Sequence, residues 1–293
     1  MAHSPFRSTT QRLKDMSELP RETIEEVVRR ALAEDVGAGD VTTAAVVDSP
    51  GRTEARVVYR EPGVVAGIDV VREVFGQLDA AAEVDATASD GTQVAAGDVA
   101  AVVRAHTGAM LTGERVALNF LQRLSGVATL TRAFVDAIDG TGVRILDTRK
   151  TTPMLRALEK YAVRMGGGAN HRQGLYDAVL IKDNHIAAAG GVAEAIAGVR
   201  RAAPAGMAIQ VEVETAAEAA AAVTAGAQAL LFDNMSVSEV ERSVAVVTAD
   251  VRLEVTGGVT LANVREYAAT GVHDISVGAL THSARAIDIG LDF

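Results

Sequence analysis

The sequence predicts an α/β protein: a small N-terminal α+β layer followed by a parallel sheet built from repeated βα units. Three observations carry this reading. After Gly142, six short apolar runs follow one another with helix-patterned segments among them. Before Gly142 the runs are mixed in type and separated by Gly/Asp turns. A hydrophobic content of 48% with only six prolines implies a large core rather than disorder. At 293 residues the chain has room for two modest domains or one elaborated barrel.

Taken in order, the first seventeen residues are polar and mixed, with no apolar leader core, so a loose cytosolic N-terminus is expected. Pro20 to Asp35 reads as a helix, with Ile24, Val27, Val28, Ala31 and Leu32 on one face and Gly37 as its stop. A Gly-Asp-Val-Thr-Thr turn follows. Strands are expected at Glu54–Tyr59, Val64–Ala66 and Val99–Arg104, with a helix over Ile68–Leu78. His106, at the end of this layer, reads as structural. Gly108 to Ile138 is helical, expected as two helices broken near Ser125-Gly126.

The later strands are expected at Val143–Leu146, Ala178–Ile181, Ala208–Val213, Ala229–Phe232, Arg252–Val255 and Asp274–Val277. Helices fit at Val192–Arg201, Ala216–Thr224, Ser238–Thr248 and Leu261–Ala269, and a further short strand near Val163–Met165. Six or seven such units make an open doubly wound sheet or a (β/α) barrel.

Composition narrows the function classes. A net charge of -10 argues against nucleic acid as the main partner, and the absence of Trp weakens any base-stacking role. Zero cysteines exclude disulfides and thiolate chemistry and fit a reducing compartment. No apolar run approaches the roughly 20 residues that a membrane span needs. Walker A, GxGxxG, GxSxG and HExxH patterns are all missing.

Against this acidic background, Arg144 to Lys182 holds eight Lys/Arg and three acids, with His171 and His185 adding two imidazoles. Three of the four lysines, Lys150, Lys160 and Lys182, lie here. A basic island in an acidic chain points to a local small anion. In parallel α/β folds the C-terminal strand ends share one face, where loops build the active site. Those ends carry Asp147-Thr148-Arg149-Lys150, Lys182-Asp183-Asn184-His185, Glu212 and Glu214, Asp233-Asn234, Glu254 to Gly258, and Gly278-Ala279.

Three sub-sites follow from residue type. Thr256-Gly257-Gly258 and Val277-Gly278-Ala279 are Gly-bearing turns on adjacent late strands, where barrel enzymes hold a phosphate. Arg149, His171, Arg172 and Lys182 suit a ligand with more than one anionic group. The preceding Gly166-Gly167-Gly168 run allows a tight turn or a close approach to ligand. Glu212 and Asp233, beside a phosphate, suit Mg²⁺ or a developing cation.

The runs LDTRKTTPMLRALEKYAV, GGGANHRQGLYDAVLIKDNH, VEVE, LLFDN, EVTGGV and VGALTHS, in this order, resemble the quinolinate phosphoribosyltransferase family. The similarity extends to LTGERVALNFLQRLSG and SARAIDIGLDF, and so covers nearly the whole chain. The resemblance implies an N-terminal α/β sandwich domain over residues 1–112, to which the tail 283–293 returns. Residues 113–282 would form an incomplete, seven-stranded α/β barrel. It further implies a cytoplasmic homodimer in which each active site borrows Arg115 from the partner, with larger assemblies open.

By motif position, Arg149, His171, Arg172, Lys182 and Arg115 would meet the two carboxylates of quinolinate. Thr148, Lys150, Glu212 and Asp233 would serve phosphoribosyl pyrophosphate and Mg²⁺. Lys150, Glu212 and Asp233 would take the catalytic roles, and the two carboxylates would hold the metal through phosphates or water. Thr256, Gly257, Gly258, Gly278 and Ala279, with His282 nearby, would hold the 5′-phosphate. Thr256 stands where the family usually has serine and keeps the hydroxyl. The expected reaction is phosphoribosyl transfer to quinolinate with loss of CO₂. A nicotinate-type transferase without decarboxylation needs fewer cations, and a non-catalytic anion-binding homologue predicts lost contacts.

Overall fold

Hydrogen-bond pairing sorts the strands into two main sheets of opposite character. The strands are β1 (Arg52–Tyr59), β2 (Gly63–Val64), β3 (Glu83–Ala86), β4 (Gln93–Val94), β5 (Val99–His106) and β6 (Arg144–Leu146). Next come β7 (Val179–Ile181), β8 (Ile209–Val213), β9 (Ala229–Asp233), β10 (Arg252–Thr256), β11 (Asp274–Ser276) and β12 (Ile289–Asp292). One sheet is antiparallel, in the order β12-β1-β5-β3, with a separate β2-β4 pair. The other is fully parallel, in the order β6-β11-β10-β9-β8-β7.

The computed structural model describes residues 19–47, 51–204, 206–247 and 249–293. The loose leader expected over residues 1–17, and Thr248 at the end of an expected helix, lie outside the described residues. Packing divides the chain into two units. The parallel unit comprises Ala133–Lys150 and Gly168–Gly278. The antiparallel unit comprises the described residues up to Arg132, together with Thr151–Gly167 and Ala279–Phe293.

In the antiparallel unit, the helix Arg21–Val36 buries Ile24, Val28 and Leu32, spaced one turn apart, and packs on the helix Ile68–Leu78. The second helix starts where Asp90 accepts from the Gly67 and Ile68 N–H groups at 2.7 and 3.2 Å. The expected Gly-Asp-Val-Thr-Thr turn is instead a short helix, Val41–Val46, capped by Asp40 on the Thr43 N–H at 2.9 Å.

Thr107–Ala137 is one unbroken helix of 31 residues, not two. Ser125 and Gly126 serve packing instead of a break. The Ser125 hydroxyl pairs with Tyr59 at 2.7 Å and accepts from the Ala66 N–H at 3.2 Å. A Cβ at Gly126 would lie 1.9 Å from the Arg285 carbonyl oxygen, so only glycine lets that segment approach. Val163–Met165, expected as a strand, closes the helix Arg156–Met165, whose Leu158, Ala162 and Val163 are buried at helical spacing. Gly166 also packs on the chain itself: its Cβ would meet the Ala128 carbonyl at 2.4 Å.

In the parallel unit, β8 alternates buried Ile209, Val211 and Val213 with half-buried Gln210 and Glu212. The helices Ala216–Thr224 and Val237–Val246 start at Thr215 and at a Ser236/Glu239 capping box. A parallel bridge joins Leu146 to Ala169 beside β6. Six strands and this bridge make up the sheet's pairing among the described residues. No helix among the described residues is long and apolar enough to cross a membrane.

Candidate active site

The six C-terminal strand ends of the parallel sheet bring most of the anticipated residues together. β6 runs into Asp147, whose fully buried carboxylate accepts from the His171 N–H at 2.9 Å and from the Asn170 side-chain amide. This carboxylate holds the loop that carries His171 and Arg172 against the end of β6. Beyond it, Thr148 accepts from the Lys150 N–H at 3.0 Å, folding a tight turn that leaves Lys150 exposed.

Arg172 is half-buried, and its guanidinium donates to the Ala178 carbonyl at 3.3 Å. Burial, and then the neighbouring Arg149 guanidinium, push Arg172 below the ordinary arginine range, while Asp177 and Glu212 oppose the shift. Two like charges are therefore held close in a partly desolvated place. At the end of β7, Lys182 Nζ donates to Glu212 Oε2 at 2.7 Å. Its backbone N–H donates to His185 Nδ1 at 3.0 Å, so His185 closes the capping box of the helix Asp183–Ala189. That helix was anticipated only as a strand-end loop.

Asp233 ends β9 in register with Thr256 on β10. Asn234 adopts a positive φ of 55°, donates through its side chain to Asp233 at 3.0 Å and through its backbone to Thr256 O at 3.0 Å. Gly257, at φ 86°, presses on this turn: a Cβ there would lie 2.2 Å from Asn234 Oδ1. The glycine is thus required twice, by conformation and by space. The Thr256 hydroxyl reaches Ser276 O at 3.4 Å, and Gly278 follows the end of β11.

Arg115, Ala279 and His282 belong to the antiparallel unit. Arg115 is exposed on the long helix, and the His282 ring pairs with Ser283 Oγ at 2.6 Å. Lys160, from the basic island, is a core residue at 1% exposure. A cavity of about 810 Å³ in the parallel unit runs from Arg172 to Met207 along β7 and is lined mostly by apolar side chains. Glu212 lines a smaller one of about 430 Å³.

Below the strand ends lies a polar tier in which Glu254 is among the charged residues named from the sequence, without a role, and Gln210 and Ser276 are not. Gln210, Glu254 and Ser276 each lie two residues before an anticipated site position, Glu212, Thr256 and Gly278. The two-residue period of a strand puts such pairs on one face, and that signal identifies them.

Comparison with known proteins decides the family. Residues 127–292 match the model of the quinolinate phosphoribosyl transferase C-terminal domain, and residues 40–125 match the N-terminal domain model. The chain belongs to the quinolinate phosphoribosyl transferase family. It is 45% identical over 287 residues to a nicotinate-nucleotide pyrophosphorylase [carboxylating] of Mycobacterium leprae, covering 94% of this chain and 99% of that protein. It is 39% identical to quinolinate phosphoribosyltransferase [decarboxylating] 1b of Nicotiana tabacum, covering 93% of this chain and 83% of that one. The solved nicotinate-nucleotide pyrophosphorylase of Francisella tularensis superposes with a TM-score of 0.90 at 38% identity, over 94% of this chain and 98% of that one.

Proposed function

We infer that this member of the family transfers the phosphoribosyl group of phosphoribosyl pyrophosphate to the ring nitrogen of quinolinate. The products are nicotinate mononucleotide, pyrophosphate and CO₂, which makes the chain a pentosyltransferase of NAD biosynthesis. The observation that carries this reading is the pairing of Arg149 with Arg172, two guanidinia in one half-buried place. Two guanidinia side by side repel each other, and a dianion between them turns that repulsion into attraction. A pyridine with two adjacent carboxylates supplies that dianion, and one with a single carboxylate does not.

Arg149, His171, Arg172 and Lys182 then form the pyridine pocket. Lys150 neutralises the leaving pyrophosphate. Glu212 and Asp233 face the ribosyl centre, where carboxylates stabilise a developing oxocarbenium ion. The nitrogen–C1 bond forms as the C1–oxygen bond to pyrophosphate breaks. The ring nitrogen, now positive, accepts the electron pair of the bond to the C2 carboxylate. CO₂ departs and C2 takes a proton, with no side-chain acid assigned to that step. Thr256, Gly257, Gly258 and Gly278 offer backbone N–H groups and a hydroxyl to the 5′-phosphate.

Glu212 and Asp233 are the residues that would hold Mg²⁺. No group of three or more His, Cys, Asp or Glu among the described residues could hold a metal. Two carboxylates on neighbouring strands suit instead an ion shared with substrate phosphates. When bound, Mg²⁺ neutralises charge on the pyrophosphate. We also propose a cytoplasmic homodimer completed by Arg115 of the partner subunit; exposure of Arg115 and the lack of cysteine support these two readings. The bridge at Ala169 supports counting a seventh stave in an incomplete barrel.

The test is turnover of quinolinate or nicotinate with phosphoribosyl pyrophosphate and Mg²⁺. Equal CO₂ and mononucleotide from quinolinate alone, abolished by chelation of the metal, is the expected result. Mononucleotide from nicotinate alone would move the chain to a non-decarboxylating transferase, and no turnover by folded protein would leave an anion-binding homologue. For the shared site, mixing Arg115→Ala with Lys182→Ala protomers should restore activity in hybrids, and hybrids without activity would sink it.

A further inference from the structure

Glu254 lies on β10, two residues before Thr256, with its side chain only 7% exposed. None of the substrate groups above is assigned to it. Both of its oxygens are held from other strands of the same sheet. Oε2 accepts from Gln210 Nε2 on β8 at 2.7 Å, and Oε1 accepts from the Ser276 hydroxyl on β11. That same Oε1 lies 3.5 Å from Nε2 of His171.

The other side of the imidazole settles its tautomer. The Arg172 backbone N–H, which can only donate, points at His171 Nδ1 from 2.8 Å. With Nδ1 accepting, the ring proton sits on Nε2 and faces Glu254. The backbone N–H of His171 is itself held by Asp147 at 2.9 Å. The imidazole is thus clamped between an interior carboxylate and the main chain of the next residue, and that residue bears the guanidinium set against Arg149.

We propose that Glu254 is a positioning residue of the pyridine pocket: it fixes the tautomer and ring plane of His171, which in turn fixes the backbone that presents Arg172. This rests on the quinolinate reading above. A buried carboxylate is suited to the task because it holds one orientation only when several donors converge on it, and Gln210 and Ser276 supply two from opposite sides. The 3.5 Å separation is long for a hydrogen bond, and polar contacts in active sites commonly tighten when substrate arrives. The strand period places Glu254 on the site face, but its role emerges only from partners brought in by other segments.

Two measurements test it. In steady-state kinetics, Glu254→Gln keeps the size of the side chain and removes the carboxylate. KM for quinolinate should rise about 10- to 100-fold, the range seen for outer-shell partners, while KM for phosphoribosyl pyrophosphate stays within about twofold. In a His171→Ala background the same substitution should add nothing, because Glu254 acts through that ring. Equal rises in both KM values, or full additivity with His171→Ala, would overturn the positioning role. Wild-type turnover with unchanged Glu254→Gln kinetics would overturn it too while leaving the function standing; no wild-type turnover would overturn both. Should Glu254→Gln fail to fold, ¹⁵N-histidine NMR of the wild-type protein decides. The His171 signal, assigned by its absence from His171→Ala, should report the Nε2–H tautomer, and an Nδ1–H tautomer would sink the idea.

Discussion

Arginines gather at both ends of the parallel sheet, under opposite conditions. At the starting end, the first residues of β6, β10 and β11 are Arg144, Arg252 and Asp274. Asp274, 2% exposed, accepts from Arg144 Nε and Arg252 Nη2 at 2.8 Å each. Burial pushes its carboxyl up, but the hydrogen bonds from Arg252 and Arg144, with their charges, outweigh this and hold it below the ordinary aspartate range. At the finishing end, the strongest charge effect on Arg172 comes from another guanidinium, Arg149. One end pairs its arginines with a buried acid and carries stability. The other holds two like charges close together, the arrangement that the proposed dianionic substrate would relieve.

Arg172→Ala should break the functional end without harming the other. It would remove the charge-assisted contact proposed for the substrate, costing about 2–5 kcal/mol of binding, which should lower kcat/KM for quinolinate on the order of 30- to 5,000-fold. The thermal midpoint should hold or rise, because a like-charge contact with Arg149 is relieved. A fall in midpoint with unchanged kinetics would reverse the assignment of the two ends.

Asp274→Asn is the counterpart at the stable end. It leaves two arginines without their buried acid, and the expected loss is about 3–5 kcal/mol in a urea or thermal titration. Kinetics of the folded protein should change by less than about twofold. The sign with pH follows from the depressed carboxyl. Its contribution is fully present above the unfolded value of about 3.9 and disappears as pH falls through the lower folded value. Wild-type stability should therefore decline below about pH 4 more steeply than that of Asp274→Asn. Parallel curves would remove Asp274 from the account.

Gly257→Ala probes the turn shared by β9 and β10. The positive φ and the Asn234 contact at 2.2 Å together imply about 1–3 kcal/mol of strain. Because the turn is assigned to phosphate, KM for phosphoribosyl pyrophosphate should rise about tenfold, while KM for quinolinate should move little. An equal rise in both would make the turn a structural element only.

The contrast between the ends also explains what could be read in advance. The parallel strands are short, apolar and bounded by turns, and the sequence places each to within about two residues. Charged strand ends are equally visible, since a charge beside an apolar run stands out. β3, with Glu83, Asp85 and Ala86, has little intrinsic strand character and exists because β5 pairs with it. Ser125-Gly126 looked like a helix break because the close approach of Arg285, 159 residues on, leaves no local mark. Glu254 stands out as a charge, but its role does not, for a similar reason: its partners come from β8, β11 and the His171 loop, far apart in the sequence.

The smallest expected effect lies at Thr256, in register with Asp233. Its hydroxyl meets Ser276 O at 3.4 Å, a long contact that a phosphate oxygen would readily replace. Threonine differs from serine there by one methyl group, which restricts χ1 and keeps the hydroxyl aimed, so it should serve at least as well. Thr256→Ser should change KM for phosphoribosyl pyrophosphate by less than about twofold, because the hydroxyl remains. Thr256→Val keeps the branched shape and removes the donor. A hydrogen bond to a charged group contributes about 1.5–3 kcal/mol, so KM should rise about tenfold or more. If the valine variant matched wild type, the phosphate would not rest on this hydroxyl, and the backbone of Gly257 and Gly258 alone would define that end of the site.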